Sequence, residues 1–253
     1  MEAGTVHVWR AYLPGERSHL AFFANLLSPD EQARAERFIA GDDTVSFSLR
    51  RGILRCVLSR YMDASPQELR FEYTPLGKPW VCEKPDAPGL NFSVSHAKEW
   101  VLIALGRDRD IGIDVEHVRD DLDALSIARR FFSQEEFDLI DAAPERGKHR
   151  LFCELWVRKE GYVKAKGRGL SMPLDRFTVP LRSDAPVRLH PGEGPWLFST
   201  IPVHPHYASA LVTHPPATHI CQYQWRTTED VTERPPVMGD HDCGNAYPAS
   251  DIQ

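Results

Sequence analysis

Two short segments in the middle of the chain carry the residues best suited to chemistry. The first, residues 111–116, reads Ile-Gly-Ile-Asp-Val-Glu, and its alternation of apolar with small or acidic residues is typical of a half-buried strand. Because strand side chains alternate between two faces, the isoleucines and the valine are predicted to point into a core. Asp114 and Glu116 then share the opposite face, with their side chains about 6–7 Å apart along the strand.

The second segment, residues 156–170, is predicted to form a helix that ends at Gly167. Glu160 and Lys164 lie at i and i+4 and therefore share one helix face. The three carboxylates and one ammonium of these two segments suit a hard divalent cation and a phosphate group. Each pair taken alone has a simpler interpretation, because acidic strand pairs are commonly solvated and Glu–Lys pairs at this spacing are commonly surface ion pairs.

The composition is that of an ordinary globular protein. The chain has 253 residues, of which 42% are hydrophobic and 26% charged, enough for one large domain or two small ones. It has neither the apolar run of about 18 residues that a transmembrane helix needs nor a signal peptide, so we expect a cytoplasmic protein that does not enter membranes. The net charge of -6 argues against broad nucleic-acid binding. The five scattered cysteines favour reduced thiols over disulfides or a zinc site.

Apolar periodicity and capping signals predict an alternation of strands and helices that occurs twice. Predicted strands cover residues 5–12, 69–73, 92–96, 100–105, 111–116, 177–179, 197–202, 208–212 and 220–225. Predicted helices cover residues 28–38, 43–61, 122–131, 133–141 and 150–166, and residues 74–89 are predicted to be a loop. This order divides the chain into an N-terminal half, residues 1–109, a C-terminal half, residues 110–226, and a flexible polar tail, residues 227–253.

Three motifs, in order along the chain, resemble those of one enzyme family. The first is Gly77-Lys78-Pro79 followed by Asn-Phe-Ser-Val-Ser-His at residues 91–96. The second is residues 111–116, and the third is residues 156–170, with the pattern W-x-x-K-E-x-x-x-K-x-x-G-x-G-L. Together they resemble the 4'-phosphopantetheinyl transferases, in particular the larger, surfactin-synthetase-activating type. Each motif alone is weak, but the three in register are a specific signal.

The resemblance implies both a fold and a reaction. The fold is a mixed α/β (α+β) monomer in which two similar halves, each with a small sheet and a long packed helix, are related by a pseudo-twofold axis. The active site lies between the halves, and the C-terminal half carries the metal. The reaction moves the 4'-phosphopantetheine arm of coenzyme A onto a serine of an apo acyl or peptidyl carrier protein. Mg²⁺ is the implied cofactor, and 3',5'-bisphosphoadenosine is the by-product.

The resemblance also implies roles for individual residues. Asp114, Glu116 and Glu160 match the acidic metal ligands of the family. Glu160 is further implied as general base for the carrier serine, and Lys164 as the group that stabilises or protonates the leaving group. The residues that match coenzyme A contacts are Arg34, Lys78, Ser95, His96, Lys159 and Lys164. Arg129 and Arg130 are candidate contacts for the acidic helices of a carrier protein, whereas Phe131 and Phe132 are predicted to be core.

Two departures from the family pattern leave other functions open as hypotheses. Glu31 and Ser46 stand where members of the family are often basic, and Arg50 or Arg51 would have to compensate for them. The main alternative is therefore a non-catalytic module that binds coenzyme A or a nucleotide. The intact set of carboxylates and lysine argues against it, because binding alone needs no general base. A third hypothesis is a Mg²⁺-dependent phosphohydrolase that releases phosphopantetheine to water.

Overall fold

Two small sheets and two long helices form the framework of the described structure. The computed structural model describes residues 1, 4–38, 41–82, 89–182, 185–215, 217 and 219–227. The strands are β1 (Thr5–Tyr12), β2 (Phe71–Tyr73), β3 (Pro79–Val81), β4 (Leu90–Ala97), β5 (Trp100–Arg107), β6 (Ile111–His117), β7 (Leu197–Thr200), β8 (Tyr207–Thr213) and β9 (His219–Gln224). The helices are α1 (Leu13–Glu16), α2 (Leu20–Ala24), α3 (Pro29–Glu36), α4 (Gly41–Ser59), α5 (Ala124–Phe131), α6 (Gln134–Asp141) and α7 (Glu145–Lys166). The predicted tail lies outside the described residues, except for Thr227.

The same strand order occurs in both halves. The first sheet has the order β4-β5-β1-β9 and the second has the order β6-β8-β7. In the first, β1 pairs with β5 and β5 with β4; in the second, β6 pairs with β8 and β8 with β7, and all four pairings are antiparallel. A long helix, α4 or α7, stands between the first and second strands of each half. The predicted two-halved α/β fold is thereby confirmed. At its C-terminal end the chain returns to the first sheet, where β9 runs parallel to β1.

Strand β6 lies at the centre of the molecule. Ile111, Ile113 and Val115 pack between the two sheets, as the alternation predicts. The opposite face is not open to solvent, because α7 covers it. A Cβ atom on Gly112 would lie only 1.9 Å from the carbonyl oxygen of Gly161 in α7. The prediction of a half-buried strand is therefore wrong, and β6 is buried on both faces at the level of the site.

Helix α7 ends where the sequence predicts. Gly167 adopts the left-handed conformation with φ of 64°, and its N–H closes the last turn on the carbonyl of Lys164. Glycine takes this conformation without the steric cost that a Cβ imposes. The helix begins at Glu145, earlier than predicted. Its length and its ending place Glu160 and Lys164 against β6.

Two predicted elements differ from the structure. Residues 79–81, predicted to be loop, form β3 and pair with β2 in a small hairpin. Residues 177–179, predicted to be a strand, pair with none of the described strands, because side chains satisfy their backbone instead: the N–H of Val179 donates to Glu136 and the carbonyl of Phe177 accepts from Lys159. None of the helices within the described residues is long and apolar enough to cross a bilayer.

Candidate active site

Asp114 is the centre of a polar cluster between β6 and α7. The residue is only 4% exposed. Its Oδ1 accepts hydrogen bonds from the hydroxyl of Ser95 at 2.7 Å and from the ammonium of Lys164 at 2.7 Å. Its Oδ2 is buried and has no hydrogen-bond partner. Because a buried polar atom without a partner is costly, this oxygen is suited to a ligand that the protein does not itself supply.

Two further carboxylates, those of Glu116 and Glu160, lie half-buried beside Asp114. Burial raises the pKa of both carboxyl groups, and the negative charge of Asp114 raises them further, against the opposing charge of Lys164. Oε1 of Glu160 is also buried without a partner. Three carboxylates facing one ammonium leave a local excess of negative charge.

This donor set fits a hard divalent cation. Mg²⁺ takes oxygen ligands and keeps several waters, so it needs only a few protein carboxylates. The unpartnered oxygens of Asp114 and Glu160, one from the strand and one from the helix, are donors of that kind. Within the described residues no three groups already converge on one point as a finished metal site. The ammonium of Lys164 is instead bonded to Asp114, with its side chain 31% exposed.

Positive charge collects on the other side of the cluster, where β4 ends. The pKa of His96 is lowered to about 4, first by desolvation and then by the charges of Arg50 and Lys164. Burial lowers the pKa of Arg50 on α4, and Arg34 on α3 contributes in the same direction. A neutral imidazole near several cations is a suitable environment for an anion. Of the two arginines proposed to compensate for Ser46, Arg50 is therefore the one near His96.

Arg51, the other candidate, has a structural role. Its guanidinium is paired with Glu31 and stacks 3.7 Å from the ring centre of Phe71. Glu31 itself is 4% exposed and also accepts a hydrogen bond from Arg55 at 2.7 Å. The acidic residue that departs from the family pattern thus joins α3 to α4, in addition to completing the capping box at Ser28.

Lys78 lies at the far end of α7. Its ammonium contacts the carbonyl oxygens of Ile111 at 3.4 Å and Ala165 at 3.3 Å, and burial lowers its pKa. The side chain therefore joins the β2–β3 hairpin to the junction of β6 and α7. Contact between that hairpin and coenzyme A stays a prediction.

Lys159 does not reach the cluster, which corrects the expectation of a phosphate contact. Its side chain is fully buried and pairs with Glu136 at 2.7 Å. It also donates to the carbonyls of Leu174 at 2.7 Å and Phe177 at 2.6 Å, so all three ammonium hydrogens have partners. The charge of Lys159 is used to hold α6 and residues 174–177 against α7.

The chain matches known proteins over both halves. Residues 11–107 match a family model described as 4'-phosphopantetheinyl transferase, N-terminal, and residues 110–221 match one described as 4'-phosphopantetheinyl transferase superfamily. The 4'-phosphopantetheinyl transferase HetI of Nostoc sp. is 36% identical over 197 residues, which cover 78% of this chain and 83% of HetI. The 4'-phosphopantetheinyl transferase Sfp of Bacillus subtilis is 34% identical over 196 residues, which cover 76% of this chain and 85% of Sfp. The chain belongs to the 4'-phosphopantetheinyl transferase superfamily.

This membership makes the chain a transferase enzyme of the Sfp type, as the three motifs predict. The structure brings together five of the predicted site residues, drawn from β4, β6 and α7. They are Ser95, Asp114, Glu116, Glu160 and Lys164. Sequence reasoning left Arg50 as one of two choices and missed the close contact of Gly112 with Gly161. The signal for that contact was present, because a glycine within a strand, two residues before Asp114, indicates close backbone approach.

Proposed function

We propose that this transferase moves the 4'-phosphopantetheine arm of coenzyme A to a serine of apo acyl or peptidyl carrier proteins in a Mg²⁺-dependent reaction. The observation that carries the proposal is the pair of unpartnered buried oxygens on Asp114 and Glu160 beside the ammonium of Lys164. Carboxylates that lack partners suit a cation, and an adjacent lysine suits the phosphate that the cation would accompany. A cytoplasmic location and a monomeric state stay predictions.

Asp114, Glu116 and Glu160 would hold the Mg²⁺ through carboxylate oxygens. Bound there, Mg²⁺ would neutralise charge on the pyrophosphate oxygens as the bond to the leaving nucleotide breaks. The three side chains come from two rigid elements, β6 and α7, which keeps them in place before substrate arrives.

Glu160 is the proposed general base. Burial and the neighbouring Asp114 raise its pKa, so it accepts a proton more readily than an exposed glutamate does. In the proposed step it takes the hydroxyl proton of the carrier serine. The serine oxygen forms a bond to the β-phosphorus of coenzyme A, and the bond from that phosphorus to the bridging oxygen breaks. The electron pair leaves with 3',5'-bisphosphoadenosine.

Lys164 and the basic residues near His96 are proposed to bind the nucleotide part of the substrate. Lys164 projects from the same face of α7 as Glu160 and places its charge beside the pyrophosphate, where negative charge develops on the leaving group. His96, Arg50 and Arg34 are proposed to face the 3'-phosphate, because the two arginines give this side of the cluster its positive charge and the neutral His96 lies near Arg50.

Helix α5 and its C-terminal end are proposed to contact the carrier. Arg129 and Arg130 occupy its last turn, and Phe131 is 40% exposed, whereas Phe132 is buried. The prediction that both phenylalanines are core is therefore wrong for Phe131. An apolar ring beside two arginines complements an acidic, amphipathic carrier helix.

The proposal is tested by the intact mass of an apo carrier protein incubated with the enzyme, coenzyme A and Mg²⁺, with EDTA as control. The proposal predicts a metal-dependent gain of one phosphopantetheine on the carrier serine. Release of phosphopantetheine to water without a carrier would instead favour a phosphohydrolase. Binding of coenzyme A with no transfer to acyl, peptidyl or aryl carriers would favour a non-catalytic module.

A further inference from the structure

The two sheets meet edge to edge through serine side chains. Strand β4 is the edge of the first sheet and β6 the edge of the second, and the two lie side by side without belonging to one ladder. The N–H of Ile113 donates to the hydroxyl of Ser93 at 3.0 Å, and the N–H of Val115 donates to the hydroxyl of Ser95 at 3.4 Å. Both serines are buried. We call these two serines and their two N–H partners the serine seam.

Ser95 makes one bond that Ser93 does not. A hydroxyl can accept one hydrogen bond and donate another at the same time. Ser95 uses both capacities, because it accepts from the backbone of Val115 and donates to Oδ1 of Asp114 at 2.7 Å. Within the described residues, Ser93 donates to no acidic side chain. The seam therefore links a strand of the first half to a carboxylate of the second at one point only.

The two donors to Asp114 differ in how firmly they are held. Ser95 is a short side chain on β4, 6% exposed. Lys164 reaches Asp114 on a long, flexible stem whose side chain is 31% exposed. Of these two donors, Ser95 is the one that can keep Oδ1 in place while Lys164 turns toward a substrate phosphate. With Oδ1 held, the unpartnered Oδ2 keeps one direction.

We propose that Ser95 is a positioning residue for the metal-binding carboxylate of Asp114, instead of the coenzyme A contact that the resemblance implies. This inference rests on the proposed metal site at Asp114. Partners of a ligating side chain fix its orientation, and their removal commonly weakens metal binding about 10–100-fold. Ser95→Ala keeps the strand and removes only the hydroxyl. Its effect therefore falls on the metal and not on the nucleotide.

The test compares Ser95→Ala with Ser93→Ala, a matched control that removes the other hydroxyl of the seam. Mn²⁺ binding is followed by loss of the free-ion EPR signal, and the KM for coenzyme A is measured at saturating Mg²⁺. We expect Ser95→Ala to weaken Mn²⁺ binding about 10–100-fold with little change in that KM. Ser93→Ala should leave both quantities near those of the wild type. Thermal unfolding of the two variants reports how much each seam bond contributes to stability.

Two outcomes would overturn the inference. A raised KM for coenzyme A with unchanged Mn²⁺ affinity in Ser95→Ala would show that Ser95 contacts the nucleotide. Equal losses of Mn²⁺ affinity in the two serine variants would show a general effect of the seam without a specific link to Asp114. The Asp114→Ala variant distinguishes failure of the inference about Ser95 from failure of the proposed metal site. If Asp114→Ala binds Mn²⁺ as the wild type does, the metal site itself is absent and the role of Ser95 falls with it.

Discussion

The ammonium nitrogen of Lys164 lies 2.7 Å from Oδ1 of Asp114 and joins α7 to β6 among three carboxylates. The lysine thus neutralises part of the charge that a metal ion would neutralise, and its side chain still reaches solvent. This arrangement gives Lys164 two effects of opposite sign. Its charge opposes the binding of a cation, and it favours the binding of a phosphate.

Lys164→Met is expected to separate these two effects. Transfer should fall about 100-fold or more, because a donor to the developing phosphate charge is lost. Mn²⁺ affinity should stay the same or increase, because a positive charge has been removed from the site. Steady-state transfer and Mn²⁺ EPR measure the two quantities. Lys166→Met is the matched control, since Lys166 is on the same helix but pairs with Glu193. Loss of metal binding in Lys164→Met would contradict the account.

Glu160→Gln should increase stability while it removes activity. The folded protein raises the pKa of Glu160, so the ionised carboxylate at pH 7 costs free energy that neutral glutamine avoids. For the same reason, Glu160 should stabilise the wild-type protein more as the pH falls. This stabilisation is lost as the pH rises through the pKa that Glu160 has in the folded protein. We expect a higher Tm in EDTA, no further rise with Mg²⁺, and transfer lowered about 100- to 10,000-fold. A lower Tm of Glu160→Gln than of the wild type in EDTA would show that the ionised carboxylate does not destabilise the metal-free protein.

Arg50→Ala is expected to reduce discrimination for the 3'-phosphate. The KM for coenzyme A should rise about tenfold or more, as for loss of a hydrogen bond to a charged group. The KM for 3'-dephospho-coenzyme A should change little, so this substrate serves as an internal control. An equal rise for both substrates would place Arg50 elsewhere on the nucleotide or give it only a structural role.

Gly112→Ala should destabilise the protein because a Cβ at this position would lie 1.9 Å from a carbonyl oxygen of α7. Overpacking of this kind typically costs about 1–3 kcal/mol. Gly147→Ala is the matched control in α7, where the added Cβ would meet no packing neighbour within 4 Å apart from the adjacent backbone of its own helix. There the higher helix propensity of alanine should stabilise by up to about 1 kcal/mol. Denaturant unfolding measures both changes, and equal stability of the two variants would contradict the close packing of α7 on β6.

Much of the architecture could be predicted from local sequence signals. Capping boxes at Ser28 and Ser133 gave the starts of α3 and α6, and Gly167 gave the end of α7. Long-range features could not be predicted in this way. The return of β9 to β1 depends on pairing between the two ends of the chain, and the burial of Asp114 depends on how closely α7 lies on β6.

The site residues divide in the same way. The motif that carries Glu160 and Lys164 predicted their position on one helix face. The same motif misplaced Lys159, because a lysine next to Glu160 in sequence points to a different face of the helix, where Glu136 holds it. Spacing alone could not show which of Arg50 and Arg51 is free to contact a phosphate. That depends on which guanidinium forms the ion pair with Glu31, and in the structure it is that of Arg51.

The central claim is that Asp114, Glu116 and Glu160 together hold the metal ion used for transfer. Crystals grown with coenzyme A and Mn²⁺ test it most directly, through the position of the anomalous scattering peak. The account predicts one strong peak within ligand distance of Asp114 and Glu160, with Lys164 released from Asp114 and turned toward the pyrophosphate. Bound coenzyme A with no peak at these carboxylates, or with a peak elsewhere, would contradict it.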